Sequence, residues 1–521
     1  MTNPAGIMRV LLTYVICIPV AILVGVLLTD PMTYGSLGIL LIVLALIAAP
    51  ILIRWHYPIM VFGLTFPMVC FFLVGSPPFG QVMVLLSLGI AIIGRTLNKE
   101  QKFISVPSMT LPLIFLALTV LITAQLTGGI HFHAVSGGGG AGAADTDVGG
   151  GRKYVTLLVG IAAYFALASQ RIPREQQKLY LMLYMLPGIF GFIGDLFPFL
   201  PAPFNYINLL FPPVGLISQE DVQFGTTRLV SLAFAANVVP IYLVARYGLR
   251  GVFAEGKLWR PVVLLLFFGL SMLGGFRTVF SAFVFLCVMM FFLERLHRTR
   301  LMGIFLILGI MGGACVGAFS DKLPYTIQRS MSFLPLKWRT DVVLDAEAST
   351  NWRLNIWQAI LPKIPDYLLI GKGYTLTRDD YSMIGHGAFA DVYSAHISGD
   401  EESLAVSNDF HSGPISTIIG FGIWGAIGMI WLMAATFFVV YRNYQYGPAE
   451  LKIFNTFMLA FCVKSIVFFF LIYGAFQADV GNFARLAGFS VAMNWGVARR
   501  TVRRTIYRPA AALPDAVPQS T

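Results

Sequence analysis

The sequence predicts an all-α, polytopic integral membrane bundle of 12–14 transmembrane helices with one large outward loop that contains amphipathic helices. Three observations carry this. Of 521 residues, 57% are hydrophobic and only 12% charged, and the mean hydropathy is +0.77, too apolar for a soluble protein of this length. The apolar residues fall in runs of about 17–25, the length that crosses a bilayer as a helix. Lysines and arginines recur in short clusters between those runs, as the positive-inside rule requires. The formal charge of +11 is therefore read as topology, with membrane lipid headgroups as the anionic partner and no nucleic acid. The five cysteines lie inside apolar runs without metal or redox spacing. The first apolar run, after Arg9, reads as an uncleaved first span because the hydrophobic pattern continues past Asp30.

Spans are expected near 8–28, 33–52, 57–75, 80–94, 108–126, 153–169, 178–196, 228–246, 260–274, 277–293, 301–319, 413–440, 452–475 and 483–498. The organisation is thus eleven spans in 1–319, an outward loop subdomain in 320–412, three spans in 413–498 and a tail in 499–521. Basic clusters such as Arg95-Lys99-Lys102, Arg295-Arg298-Arg300 and Arg499-Arg500-Arg503-Arg504 follow the even-numbered spans, which puts both termini in the cytoplasm.

The outward segments differ in kind. Thr127 to Gly151 is glycine-rich and reads as a flexible loop; its His131 and His133 have no cysteine or carboxylate at ligand spacing, so no metal site is expected. Phe197 to Gln223, rich in proline and aromatics, suits the outer interface. In the large loop, Ser349 or Thr350 caps a predicted amphipathic helix with apolar Trp352, Ile356, Trp357 and Ile360, ended by Pro362. Arg353 and Trp357, four apart, share a face of it. Ile370 to Tyr374, with Gly371 and Gly373, reads as a tight turn that lets backbone come close to another element.

Charges near the membrane narrow the chemistry. Arg277 interrupts an apolar hairpin after Gly274-Gly275; an arginine within the membrane costs about 2.5–3.5 kcal/mol on insertion scales and usually has an anionic partner. Arg228 and Arg353 lie on the same face, and arginine forks match phosphate oxygens two at a time. From Asn408 to Gly428 a polar loop carrying His411 turns into an apolar, glycine-spaced helix, which fixes an imidazole at the membrane surface. The plain alternatives are a snorkelling arginine and a helix-capping histidine. Lys464 reads as a structural mid-span cation and Arg485 as interfacial.

His411-Ser412, nine residues and Gly422-x-x-Gly425 resemble the H-[NSQ]-x9-G-x-x-G signature of the O-antigen ligase and polymerase superfamily, membrane transferases of bacterial surface polysaccharide assembly. Trp352-Arg353-x-x-x-Trp357, Pro365 and Gly371-Lys372-Gly373 resemble the family's block just upstream, and Gly275-Phe276-Arg277-Thr278 its arginine element, with Phe276 and Thr278 departing from the pattern. Arg228 with Asn237 is a poor match to a further element, lacking its Gly and Pro. The resemblance covers about 228–428. It implies a metal-independent, cofactor-free glycosyltransferase of the bacterial inner membrane with a periplasmic active site. Its donor would be undecaprenyl diphosphate-linked oligosaccharide and its acceptor a glycan or lipid A core, with other polysaccharide-assembly proteins as possible partners. His411 would be the base, Arg277 with Arg353 and Arg228 the diphosphate ligands, and Trp352, Trp357, Gly371, Gly373, Ser412, Gly422 and Gly425 the structural motif. Many spans and a loop of about ninety residues favour polymerase slightly over ligase. A flippase or transporter is the rival of another class, but such proteins show repeat symmetry with polar sites at the midplane.

Overall fold

The computed structural model describes residues 21, 25, 50–73, 75–98, 103–128, 150–196, 199–201, 204, 207–213, 228–374 and 408–500. Most of the expected first and second spans, His131 and His133, most of Phe197 to Gln223 and the tail beyond 500 lie outside the described residues. Among those described there is no strand, only an isolated bridge between Val69 and Pro78. The chain is an all-α membrane bundle: seven described helices are long and apolar enough to cross a membrane.

The elements are α1 (50–63), α2 (Phe79–Leu97), α3 (Pro107–Thr127), α4 (Gly151–Leu167), α5 (Arg174–Leu196, 3-10 over Leu186–Phe192), α6 (Val230–Phe253) and α7 (Trp259–Ser271). They continue with α8 (Arg277–Leu293), α9 (Leu301–Ala318), α10 (Tyr325–Met331), α11 (Thr340–Ile360), α12 (Gly413–Tyr446), α13 (Lys452–Leu471) and α14 (Phe476–Asn494). Three boundaries differ from expectation. Helix α1 runs straight through Arg54, where a turn was expected, and 64–73 and 75–78 are irregular chain instead of the outer half of a span over 57–75. Helix α11 begins nine residues before Ser349, so Thr350 is mid-helix and its hydroxyl bonds back to the Ala346 carbonyl rather than capping. Helix α14 begins at Phe476, not 483, which carries Arg485 down from the interface to the third turn of the helix.

Helix α14 is buried at nearly every position from Phe483 to Met493, the pattern of a helix surrounded on all sides. It packs on α4 through small residues: a Cβ on Gly160 would sit 3.2 Å from the Gly481 Cα, and one on Gly488 3.0 Å from Leu167. Away from His411, Asn443, Asn455 and Asn494 tie α12, α13 and α14 together: Asn455 and Asn494 exchange amide hydrogen bonds at 2.8 and 2.9 Å, and Asn455 also donates to the Asn443 carbonyl. Closed polar networks of this kind fix the register of packed helices inside a membrane.

The glycine-spaced helix after His411 is not continuous. Gly422 has φ 61° and ψ −159°, a conformation other residues strongly resist, and breaks α12 into a short upper piece and a long lower one. Backbone groups released inside a membrane need partners, and here the upstream loop supplies them. Lys372 and Gly373 N–H groups donate to the carbonyls of Ile419 and Gly420, and Ile423 N–H donates to Leu368 O at 2.7 Å. Gly371 permits the approach, since a Cβ there would lie 2.5 Å from the Gly420 oxygen. The tight turn at 371–373 and the G-x-x-G motif are thus two halves of one joint. At Gly422 a Cβ would meet the Leu369 oxygen at 2.7 Å in an already strained conformation. Gly422→Ala is therefore expected to destabilise by about 1–3 kcal/mol from backbone strain, with the clash in addition. Thermal unfolding in detergent measures it, and Gly269→Ala, where a Cβ meets nothing within 4 Å, is the silent control.

Candidate functional site

The loop 408–412 holds its histidine under strain. Both Asn408 (φ 52°) and His411 (φ 54°) are left-handed, a cost of order 1–3 kcal/mol each that persists only where the surroundings enforce it. Asn408 is buried and its amide donates to Gly373 O at 2.6 Å. Phe410 N–H donates to Ser416 Oγ at 3.1 Å, while Trp357 Nε1 reaches across from α11 to Phe410 O at 2.8 Å. Below this, Ile356 and Ile360 of α11 pack with Phe410, Ile415 and Ile419 in a small core of their own. Burying such side chains is worth about 1.5–3 kcal/mol each, enough to seat the loop. Trp357, Gly371, Gly373 and Gly422 are thus the scaffold of His411. Gly425 lies one turn below the break, where a Cβ would collide with that of Phe421. Ser412 stands at the N-cap position just before α12 and makes no side-chain cap hydrogen bond. The side chain of Trp352 lies outside the described residues.

His411 Nδ1 faces Asp409, 3.4 Å from its carbonyl and 3.7 Å from Oδ1, and the His411 N–H donates to the same carboxylate at 3.1 Å. Tyr473, from the turn between α13 and α14, donates its hydroxyl to Asp409 Oδ2 at 3.1 Å and sets its ring edge-on to the imidazole, centroids 5.0 Å apart. Burial and the Asp409 charge raise the Tyr473 pKa, so it stays a neutral donor. For His411, burial is the largest influence and lowers its pKa from 6.5; the Arg353 cation lowers it further, and Asp409 pulls the other way without prevailing. The imidazole is neutral near pH 7 and able to accept a proton.

On the other side lie the arginines. The turn before α8 needs Gly275 at φ 70°, and the Gly275 carbonyl accepts Arg329 Nη1 at 2.9 Å, which clips α10 to the hairpin. Arg277 opens α8, so its guanidinium adds to the positive end of a helix dipole. Its contacts are neutral: Thr350 Oγ at 3.3 Å and the Ala346 carbonyl at 3.3 Å, both on α11. Asp345, one turn earlier on α11, takes Arg329 through both its oxygens, Tyr325 at 2.6 Å and Arg228 at 3.2 Å. Burial pushes Asp345 up, but the hydrogen bonds from Arg329 and Tyr325 outweigh it and leave the carboxyl ionised below its usual range. Arg353, two turns along the same helix, is half-buried, and its Nε has no hydrogen-bond partner among the described residues. It lies within electrostatic reach of Tyr473, His411 and Arg277.

The structure therefore places Arg353 within electrostatic reach of both Arg277 and His411. Arg228 stands apart in role, since it faces a buried carboxylate rather than open space. Arg329, Asp345, Asp409 and Tyr473 were missed by the sequence reading. Only Asp409 had a usable signal, two positions before the histidine. Among the described residues no three His, Cys, Asp or Glu groups come together as metal ligands would.

The stretch from 262 to 430 contains Arg277, Arg329, Asp345, Arg353, Asp409, His411, Gly422 and Gly425, and it matches a protein-family model described as O-antigen ligase. The match takes in 169 of the 521 residues, about a third of the chain, and is a similarity of that stretch. The resemblance seen in the motifs is borne out there, with one change of extent: the O-antigen ligase match begins after Arg228, in keeping with that residue's poor motif and its pairing with Asp345. No curated protein matches the chain. The O-antigen ligase region spans from α7 to the break in α12 and the start of its lower piece, so it takes in both the arginine hairpin and the histidine loop.

Proposed function

We propose that this protein is a multi-pass inner-membrane glycosyltransferase that transfers or polymerises undecaprenyl diphosphate-linked glycan at the periplasmic face. The feature that carries the reading is a strained histidine, whose protonation burial disfavours, within electrostatic reach of an arginine with an unsatisfied buried Nε that is itself in reach of Arg277. The acceptor hydroxyl gives its proton to His411 Nε2, the nitrogen turned away from Asp409, as its oxygen attacks the anomeric carbon. The bond from that carbon to the diphosphate oxygen breaks, and the lipid diphosphate leaves with the electron pair. Attack opposite the leaving group inverts the anomeric configuration. Arg277 and Arg353, in a water-poor setting, stabilise the negative charge as it grows on the leaving oxygen. The leaving group needs no metal in this scheme because two guanidiniums supply the charge.

We favour chain polymerisation slightly, on the size of the outward loop; the family description, O-antigen ligase, favours ligation. Cells lacking the native copy test both. A polymerase restores long glycan that is still lipid-linked, and a ligase restores glycan on lipid A core. Neither product, from protein shown by blot to be in the membrane, would overturn the transferase reading.

A further inference from the structure

On the Asp409 side of His411 the bundle encloses a second space, a cavity of about 380 Å³ between the end of α1, α2, α4 and α14. That is the small end of ligand-pocket volumes, about 300–1,000 Å³. The transferase reading leaves it unused. Its walls carry Gln81, Thr156 and Gln477, and Asp409 and Arg485 also line it. Gln81 already donates to Thr156 at 3.3 Å, so these groups converge. Two glycine contacts hold the walls: a Cβ on Gly80 would lie 2.3 Å from the Gly63 oxygen, and Gly160 meets Gly481.

Arg485 is the residue that gives the cavity a chemistry. It lies nine residues into α14, roughly 13 Å along the helix. A cation at that depth is costly and marks a substrate path or has an anionic partner. Its acceptors are neutral: Gly481 O at 3.2 Å, Leu64 O at 3.4 Å and Asn482 Oδ1 at 2.6 Å. No carboxylate pairs with it among the described residues, and a guanidinium has five N–H donors, so two remain after these contacts.

We propose that this cavity is the subsite for the acceptor sugar and that it takes a sugar bearing an anionic substituent, a carboxylate or a phosphate, which Arg485 grips. The charge pattern sets the orientation. Asp409 repels an anion near it, so the substituent lies towards Arg485 and the sugar's hydroxyl face towards Asp409 and His411. The amides of Gln81 and Gln477 and the Thr156 hydroxyl suit the remaining hydroxyls. The acceptor assignment rests on the transferase reading; the binding of an anionic sugar does not, because its test needs no transfer.

The test uses the full chain in lipid nanodiscs, titrated with glucuronate, glucose 6-phosphate and glucose by saturation-transfer NMR. At least one anionic sugar is expected to bind about tenfold or more tightly than glucose. Which of the two does so names the substituent. Arg485→Gln should abolish that preference. If Arg485→Gln does not reach the membrane, Arg485→Lys decides, since one ammonium loses the two-point grip and should weaken anionic binding several-fold. Equal binding of all three sugars, no binding of any, or an anionic preference unchanged in these variants overturns the proposal.

Discussion

Replacing His411 by alanine is expected to lower glycan transfer by about 10²–10⁴ while leaving the protein inserted and able to bind its lipid-linked donor. The separation of the two effects follows from the geometry. The loop is held by Asn408, Phe410 and Trp357, and no bond of that clamp runs through the imidazole. Removing the ring therefore deletes a proton acceptor and leaves its seat. The left-handed backbone at 411 is strained for alanine as for histidine, so little of the loss is structural. His411→Gln sharpens the reading: glutamine can still hydrogen-bond but cannot take up a proton, and it should be as inactive as alanine. A helix-capping role predicts the reverse, with His411→Gln nearly silent.

Arg277→Lys is the second large effect, a fall of about 10²–10³ in transfer despite an unchanged charge. Arg277 spans Thr350 Oγ and the Ala346 carbonyl with separate nitrogens, a planar two-point geometry that would also present paired N–H groups to a diphosphate oxygen. One ammonium supplies a point charge without that fork. The loss should appear with Asp345, Arg329 and the Gly275 turn undisturbed, because Arg329 and not Arg277 clips the hairpin to α10. Transfer rates with membrane levels checked by blot measure it; a tolerated lysine would make Arg277 a snorkelling residue.

The helical membrane architecture was legible because bilayer thickness and backbone hydrogen bonding leave a chain this apolar few alternatives. The ends of helices were less so. Helix α1 passes through Arg54 because one charge at a helix end can snorkel, and composition cannot tell that from a turn. At the site, Arg277 was visible as a charge the membrane does not readily hold, His411 as an imidazole in a polar loop at its surface and Arg353 as a cation on the amphipathic loop helix. Their supports were not, since Arg329, Asp345 and Tyr473 become meaningful only when helices far apart in sequence are packed together. Gly422 shows the same limit from the other direction. A G-x-x-G in an apolar run reads as a helix-packing stripe, yet here the first glycine breaks the helix and the second makes room below the break. Arg485 was placed at the interface because the expected span begins at 483, whereas Phe476 to Asn482 extend the same helix upward.

The pH dependence of transfer tests the central claim most directly, that His411 is the base and that Asp409 and Arg353 pull its protonation in opposite directions. The signs follow from the charges. The folded pKa lies below 6.5, so activity should rise with pH through an acidic limb with its midpoint below 6.5 and level off above it. Asp409→Asn removes the influence that raises the pKa and should move that limb to lower pH. Arg353→Gln removes one that lowers it and should move the limb to higher pH, alongside its own loss of rate. Measured in nanodiscs with lipid-linked donor extracted from the host membrane, opposite displacements of the two limbs are the predicted result. A limb that stays in place in both variants, or that persists in His411→Gln, would contradict the account.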